Sequence, residues 1–421
     1  MIPFSEIQLP KLYRVIQHRE MPRVEDPGRE IAEKAAPFLE KIKPGDRVGI
    51  AAGSRGIYNY AKMIKTVVDL VVSRGGNPYI IPAMGSHGGA TAEGQAEVLE
   101  GYGITEATMG APVLSSMETV VIGQTPQGAP VHFDKNAASM DWIVMVNRVK
   151  PHTDFHDELE SGVMKQMAVG LGKQHGAATI HRRGIYGLSE IMPACARVVM
   201  EKMPILMGVA IIENAEDKTA QIEVLGVEGL EEKEKALLKR AKALMPSLPA
   251  EKLDVLVLQE MGKNISGTGI DPNIVGRYLI RNMADETPDI YRIVCLDLTD
   301  ESHHNAIGVG IADVITKRMY EKIDLVPTYM NTMTSGFLER GFIPIVADSD
   351  RDAIQLAVNC CNRYVTPETL RLIFAQNTLK VNELVVSEAL LPELRARGNV
   401  EILDEVKIDW DDAGYLREKL F

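Results

Sequence analysis

Twice within the first hundred residues, a short apolar run ends in a glycine turn and gives way to a helical pattern. VGIAAGSRG (48–56) leads into YNYAKMIKTVVDLVVSRGG, and NPYIIPAMGSHGGAT (77–91) leads into a helix that starts near Thr91 and Glu93. MDWIVMVNRVKPHT (140–153) is a third apolar run, ending in a loop. Strand–helix alternation of this kind predicts a mainly parallel sheet with helices on its faces. In such sheets ligands sit beyond the carboxyl ends of the strands. Arg55, His87 and His152 each follow directly after a predicted strand, so three separate stretches are expected to converge on one crevice.

The charge-laced helical stretch EGLEEKEKALLKRAKALMPSLPAEK (228–252) ends in a proline turn and reads as a boundary. A second α/β set follows, with strands predicted in DVLVLQEMGKN (254–264), IYRIVCLDLTD (290–300) and IPIVAD (343–348), and helices over 305–322 and 351–361. The expectation is two α/β domains, residues 1–250 and 251–421, with an inter-domain active-site crevice. The length of 421 residues suits that division.

A net charge of −12 argues against non-specific nucleic-acid binding, which needs a basic face. It leaves room for a small anionic substrate, because a local Arg/Lys pair overrides the global field. The longest apolar runs fall short of a membrane span. The four cysteines, Cys195, Cys295, Cys360 and Cys361, form no CxxC pair and suit buried thiols in a reducing compartment. The first twenty residues hold no apolar core of a secretory signal, so the expected location is cytoplasmic.

Six of the nine histidines lie between residues 87 and 181. Imidazole titrates near neutrality and ligates borderline metals, so such a cluster points to proton transfer or metal binding. A lone histidine is more often a loop residue satisfied by hydrogen bonds. His132 and His175 keep that reading, whereas His87, His152 and His181 lie near strand ends or glycine turns. GSHGGAT (85–91) could cradle an anion on backbone N–H groups, but neither a GK[ST] nor a GxGxxG motif is present. Arg55 in GSRG could clamp a carboxylate or phosphate, or form a surface ion pair. Lys165 in ESGVMKQMAVGLGK (160–173) could be a covalent anchor, or a surface lysine whose stem covers apolar neighbours. Glu260 and Lys263 in EMGKNISGTGIDPN (260–273) form a further polar pair after a strand, or simply belong to a loop. Together these residues suggest paired acid–base histidines, an anion clamp and a metal. Such a pair serves racemisation, where one group takes a proton and the other gives it.

The series GSRG, GSHGGAT, KPH…SGVMK and the later His181 resembles the lactate racemase family, whose members use a nickel-pincer nucleotide (pyridinium-3,5-bisthiocarboxylic acid mononucleotide nickel). The resemblance implies that Lys165 tethers the nucleotide and that His181, sixteen residues on, ligates nickel. It implies that His87 and His152 are the acid–base pair. Ser54, Arg55, Gly85, Ser161 and Gly162 would contact the cofactor, and Arg55, Glu260 and Lys263 the substrate. The implied substrate is a small anionic 2-hydroxy acid whose C2 hydride moves reversibly to the pyridinium ring. Cofactor-making enzymes would be needed for maturation. Two departures stand out. The family's Asp-x-x-Arg-Pro loop is here AGSRGI, and the stretch from His152 to Lys165 is longer, carrying an extra His156 with Asp154, Asp157 and Glu158. His152 is preferred over His156 because Pro151–His152 keeps the family's Pro-His pair. The extra loop points away from lactate itself and toward another 2-hydroxy acid. Two other readings stay open: a metal-dependent hydrolase or lyase using the histidine cluster, and a ligand-binding homologue without chemistry.

Overall fold

The computed structural model describes residues 8–54, 56–281, 283–361 and 364–421. The chain forms two compact units. One is Met21–Met245; the other joins Pro246–Phe421 to the N-terminal segment ending at Glu20. The first strand, β1 (Leu12–Gln17), therefore lies in the C-terminal unit, although sequence order groups it with residues 1–250.

The N-terminal unit is built on β2 (Arg47–Ala52), β3 (Asn77–Pro82), the hairpin β4 (Thr119–Gln124) and β5 (Pro130–Asp134), β6 (Trp142–Arg148), β7 (Ile205–Glu213) and β8 (Thr219–Leu225). Its five-stranded sheet runs β3-β2-β6-β7-β8. The first four strands are parallel and β8 is antiparallel. Strands buried on both faces read as unbroken apolar runs, and β6 shows why. Val144 and Val146 pack with Ile31, Met63 and Ile64 from the helices Pro27–Leu39 and Tyr60–Ser73. Ile143 and Met145 face the other way, against Val163, Met164 and Met167.

The C-terminal unit adds β9 (Lys252–Leu258), β10 (Asp289–Cys295), β11 (Val314–Thr316), β12 (Ile345–Ala347), β13 (Leu372–Ala375), β14 (Glu383–Ser387) and β15 (Val400–Val406). Its sheet runs β12-β11-β10-β9-β13-β14-β1-β15. The pairs from β12 to β13 are parallel, and those from β13 to β15 antiparallel. The fold is thus α/β with mainly parallel sheets. Among the described residues, no helix is long and apolar enough to cross a membrane.

Two local expectations change. Residues 305–322 are not one helix: a short turn, β11 and a helix limited to Lys317–Lys322 replace it. Gly308 takes a positive φ of 90°, and the β-branched residues of β11 favour strand. The Thr316 hydroxyl then caps the short helix by accepting from Met319 N at 3.1 Å. The run Gly170–Gly176, whose three glycines favour a turn, is largely helical. A π-helical turn over Gln166–Gly170 passes into the helix Lys173–His181.

The helical start after Gly162 depends on a distant carboxylate. Glu234, buried in the helix Leu230–Leu244, accepts from Val163 N at 2.6 Å and Met164 N at 3.1 Å. Gly162 has φ +101°, and a Cβ there would lie 2.7 Å from the Glu234 carboxyl carbon. Burial pushes the Glu234 carboxyl up to about 8, against the pull of the two backbone N–H groups. Its ordinary value is 4.5, so the folded chain keeps a proton that the unfolded chain releases between those limits. That stabilisation is complete below pH 4.5 and lost as the pH rises through about 8. Thermal melting should therefore show stability falling across this window in the parent protein and a flatter profile in Glu234→Gln.

Candidate functional site

Because β3, β2 and β6 are adjacent and parallel, the segments after Pro82, Ala52 and Arg148 leave the same edge of the sheet. His87, Ser54 and His152 lie on these segments. The Ser54 hydroxyl hydrogen-bonds with His87 Nδ1, joining the first two. Tyr102 OH donates to Ser54 O at 2.5 Å and fixes the serine backbone. Arg55 lies outside the described residues.

Gly85, at φ +63°, lets the GSHGGAT turn pass close to the next layer. Its N–H donates to Gly170 O at 3.0 Å, and a Cβ on it would lie 3.1 Å from Val169 O and 3.6 Å from Ala177 Cβ. The His87 turn therefore packs against the segment joining Lys165 to His181. Gln166, next to Lys165, donates its amide to Ala51 O at 3.1 Å and Val146 O at 3.0 Å, which pins that segment over the ends of β2 and β6.

The loop 150–161 is folded around Glu160, a residue that sequence reasoning missed. Its side chain has 0% exposure. It accepts from His152 N at 2.7 Å and Asp157 N at 3.1 Å, meets His156 Nδ1 at 3.3 Å, and pairs with Lys242. Burial works to raise the carboxyl, but the bonds from His156, Lys242 and His152 outweigh it and hold it below its ordinary range. Ser161 completes the loop, accepting from Lys150 N at 2.7 Å and donating to Lys150 O at 2.6 Å. Its only sequence signal was position, in a loop rich in acids and histidines.

His152 Nδ1 accepts from Asp154 N at 3.0 Å, and the Asp154 carboxylate lies 3.8 Å away. A ring nitrogen that accepts an N–H carries no proton, so the neutral ring holds its proton on Nε2. The ring also lies 4.9 Å from Phe155, and the Lys165 ammonium lies 5.6 Å from the centre of the same Phe155 ring. Lys165 Nζ donates to Glu160 O at 3.1 Å. His181 ends the helix Lys173–His181, within electrostatic range of Lys165 and Asp154. Crowding by the surrounding protein lowers its pKa, the Lys165 charge lowers it further, and Asp154 partly opposes both. A neutral imidazole is the form that binds a metal. His87, His152, Lys165 and His181 thus belong to one assembly of packed loops, and His156 is engaged by Glu160. His132 and His175 stack on each other at 5.4 Å.

Glu260 and Lys263 follow β9 in the C-terminal unit. Glu260 accepts from Gln376 at 3.2 Å and Asn377 at 3.0 Å, and Lys263 donates to Asn331 at 2.7 Å.

Residues 48–227, which contain this assembly, match a family described as a domain of unknown function (DUF362). No curated protein matches the chain. Among solved structures, the lactate racemase apoprotein from Thermoanaerobacterium thermosaccharolyticum aligns with a TM-score of 0.53 at 11% identity, covering 90% of this chain and 96% of that one. A protein from Thermotoga maritima aligns with a TM-score of 0.46 at 13% identity, over 78% of this chain and 82% of that one. At such identity, what this chain shares with the lactate racemase apoprotein is the fold.

Glu160→Ala should release the 150–161 loop and cost about 2–3 kcal/mol, the scale of charge-assisted hydrogen bonds lost from a buried group. Hydrogen exchange by mass spectrometry should show that loop exchanging faster while β2 and β6 keep their protection.

Proposed function

We propose that this chain is a racemase or epimerase of a small anionic 2-hydroxy acid, working with a nickel-pincer nucleotide tethered to Lys165. One observation carries the reading. A single imidazole of lowered pKa, His181, lies within electrostatic range of a partly buried lysine amine, Lys165. Among the described residues, no three His, Cys, Asp or Glu side chains are grouped to hold a metal ion. With no such cage among the described residues, His181 is read as the protein's nitrogen donor to a metal that arrives with its own sulfur and carbon ligands. Gln166 Oε1, beside the tether, is a buried acceptor without a hydrogen-bond partner and suits a polar group of such a ligand. The residues fit the group. When bound, it supplies the acceptor for the C2 hydride; the protein supplies orientation and proton control.

The protein's part is read as follows. Asp154 N holds the proton of neutral His152 on Nε2, so that nitrogen would donate a hydrogen bond to the substrate oxygen; the imidazolium that gives up a whole proton would carry its second proton on Nδ1, facing the Asp154 carboxylate. The Ser54 hydroxyl can donate to or accept from His87 Nδ1, so His87 can take the base form and receive the substrate hydroxyl proton at Nε2. Phe155 is an apolar neighbour of both His152 and Lys165. Exclusion of water there strengthens the electrostatic interactions of both groups. Lys165 would hold the nucleotide and His181 the nickel. The 150–161 loop, clamped by Glu160, would shape the side of the pocket that selects the substrate. The likeness of fold to a lactate racemase apoprotein supports the same class of reaction.

The test is intact-protein mass spectrometry after expression together with the cofactor-making enzymes. A mass increment on Lys165 that disappears in Lys165→Ala is the expected result. An unmodified Lys165 together with tightly bound zinc or manganese would instead indicate a metal-dependent hydrolase or lyase. With a panel of chiral 2-hydroxy acids, His87→Ala and His152→Ala should each lower kcat by roughly 10²–10⁴-fold, the usual worth of a positioned acid or base.

A further inference from the structure

Lys173 is the eighth residue after the proposed tether, and its side chain has 0% exposure. Its backbone takes φ +51°, a left-handed conformation at the first position of the helix that ends in His181. Its ammonium meets three acceptors from three different elements. Pro82 O is the last carbonyl of β3. Gln95 Oε1, at 3.0 Å, comes from the helix Ala92–Gly101. Asp134 Oδ2, at 3.1 Å, comes from the end of β5. The contacts to Pro82 and Gln95 are hydrogen bonds, and the one to Asp134 is an ion pair. Gln95, itself buried, passes the constraint on: its Nε2 donates to Gly85 O at 2.8 Å and to His87 O at 3.2 Å. The turn is also pressed onto the same helix, since a Cβ on Gly88 would lie 2.6 Å from Gln95 N.

A buried ion pair is a poor source of stability, because desolvation offsets most of the attraction and apolar replacement of both partners is often neutral or better. What such a group contributes is geometry. Lys173 touches the strand from which the His87 turn departs, the helix after that turn, and the base of the helix ending in His181.

We propose that Lys173 and Gln95 are positioning residues: the buried ammonium and the amide beside it set where the His87 turn stands relative to the helix carrying His181. The importance of that placement for catalysis rests on the function proposed above. The placement itself does not, and it can be read in the apoprotein.

The experiment uses the full chain, ring-labelled at histidine, and compares its imidazole NMR signals with those of variants. Gln95→Leu keeps all charges and removes the two amide bonds to the turn. The double variant Lys173→Met/Asp134→Leu removes the whole ion pair and leaves no buried charge unpaired. In whichever of the two retains the parent far-ultraviolet circular dichroism, the His87 ring signals should shift, while those of His18 and His303 in the C-terminal unit stay in place. A folded variant with unmoved His87 signals would overturn the proposal, since Lys173 would then be a packing group only. An unmodified Lys165 in the loading experiment would refute the proposed function and leave this result standing. If loaded enzyme racemises a 2-hydroxy acid, Gln95→Leu should lower kcat with KM little changed.

Discussion

Three adjacent parallel strands, β3, β2 and β6, end at one edge of one sheet, and the candidate site depends on that register. The pairing is possible because the strands are apolar on both faces, so two helical layers can cover them. The same burial confines polar groups to the strand ends, and the carboxyl ends lie together at one edge. Ser54, His87 and His152 lie past those carboxyl ends.

Buried ionisable groups then fix the loops that the sheet only launches. Glu234 caps the helical start before Lys165, Glu160 gathers the 150–161 loop, and Lys173 ties the His87 turn to the next helix. Each is removed from water, and each is held by partners contributed from other parts of the chain. The arrangement divides the labour: partly buried His152 and Lys165 lie in the segment after β6, and fully buried residues hold that segment in place.

How much of this could be read from the sequence follows from the range of the interactions. The strands of β2, β3 and β6 were legible because each is a local apolar run bounded by glycine or a polar turn. The candidate residues His87, His152, Lys165 and His181 were legible as spaced motifs. The helix expected over 305–322 failed because helical spacing was weighed without the glycine at 308 and the β-branched residues after it. β1 was assigned by position along the chain, yet its partners β14 and β15 lie far away in sequence. Glu234, Lys173 and Gln95 were missed for the same reason. Lys173 meets Gln95 across 78 residues and Glu234 meets Val163 across 71, and no local pattern announces such pairs. A faint signal did exist in GLGK, where a lysine sits in a glycine-bounded apolar run with no acid nearby to pair it.

The central claim is that the protein itself supplies one nitrogen donor, His181, to a metal bound beside Lys165. Nickel K-edge X-ray absorption on the loaded protein tests it most directly. The account predicts the scattering signature of one imidazole, lost in His181→Ala while the sulfur contribution persists. Two or more imidazoles, or a spectrum unchanged by His181→Ala, would contradict it.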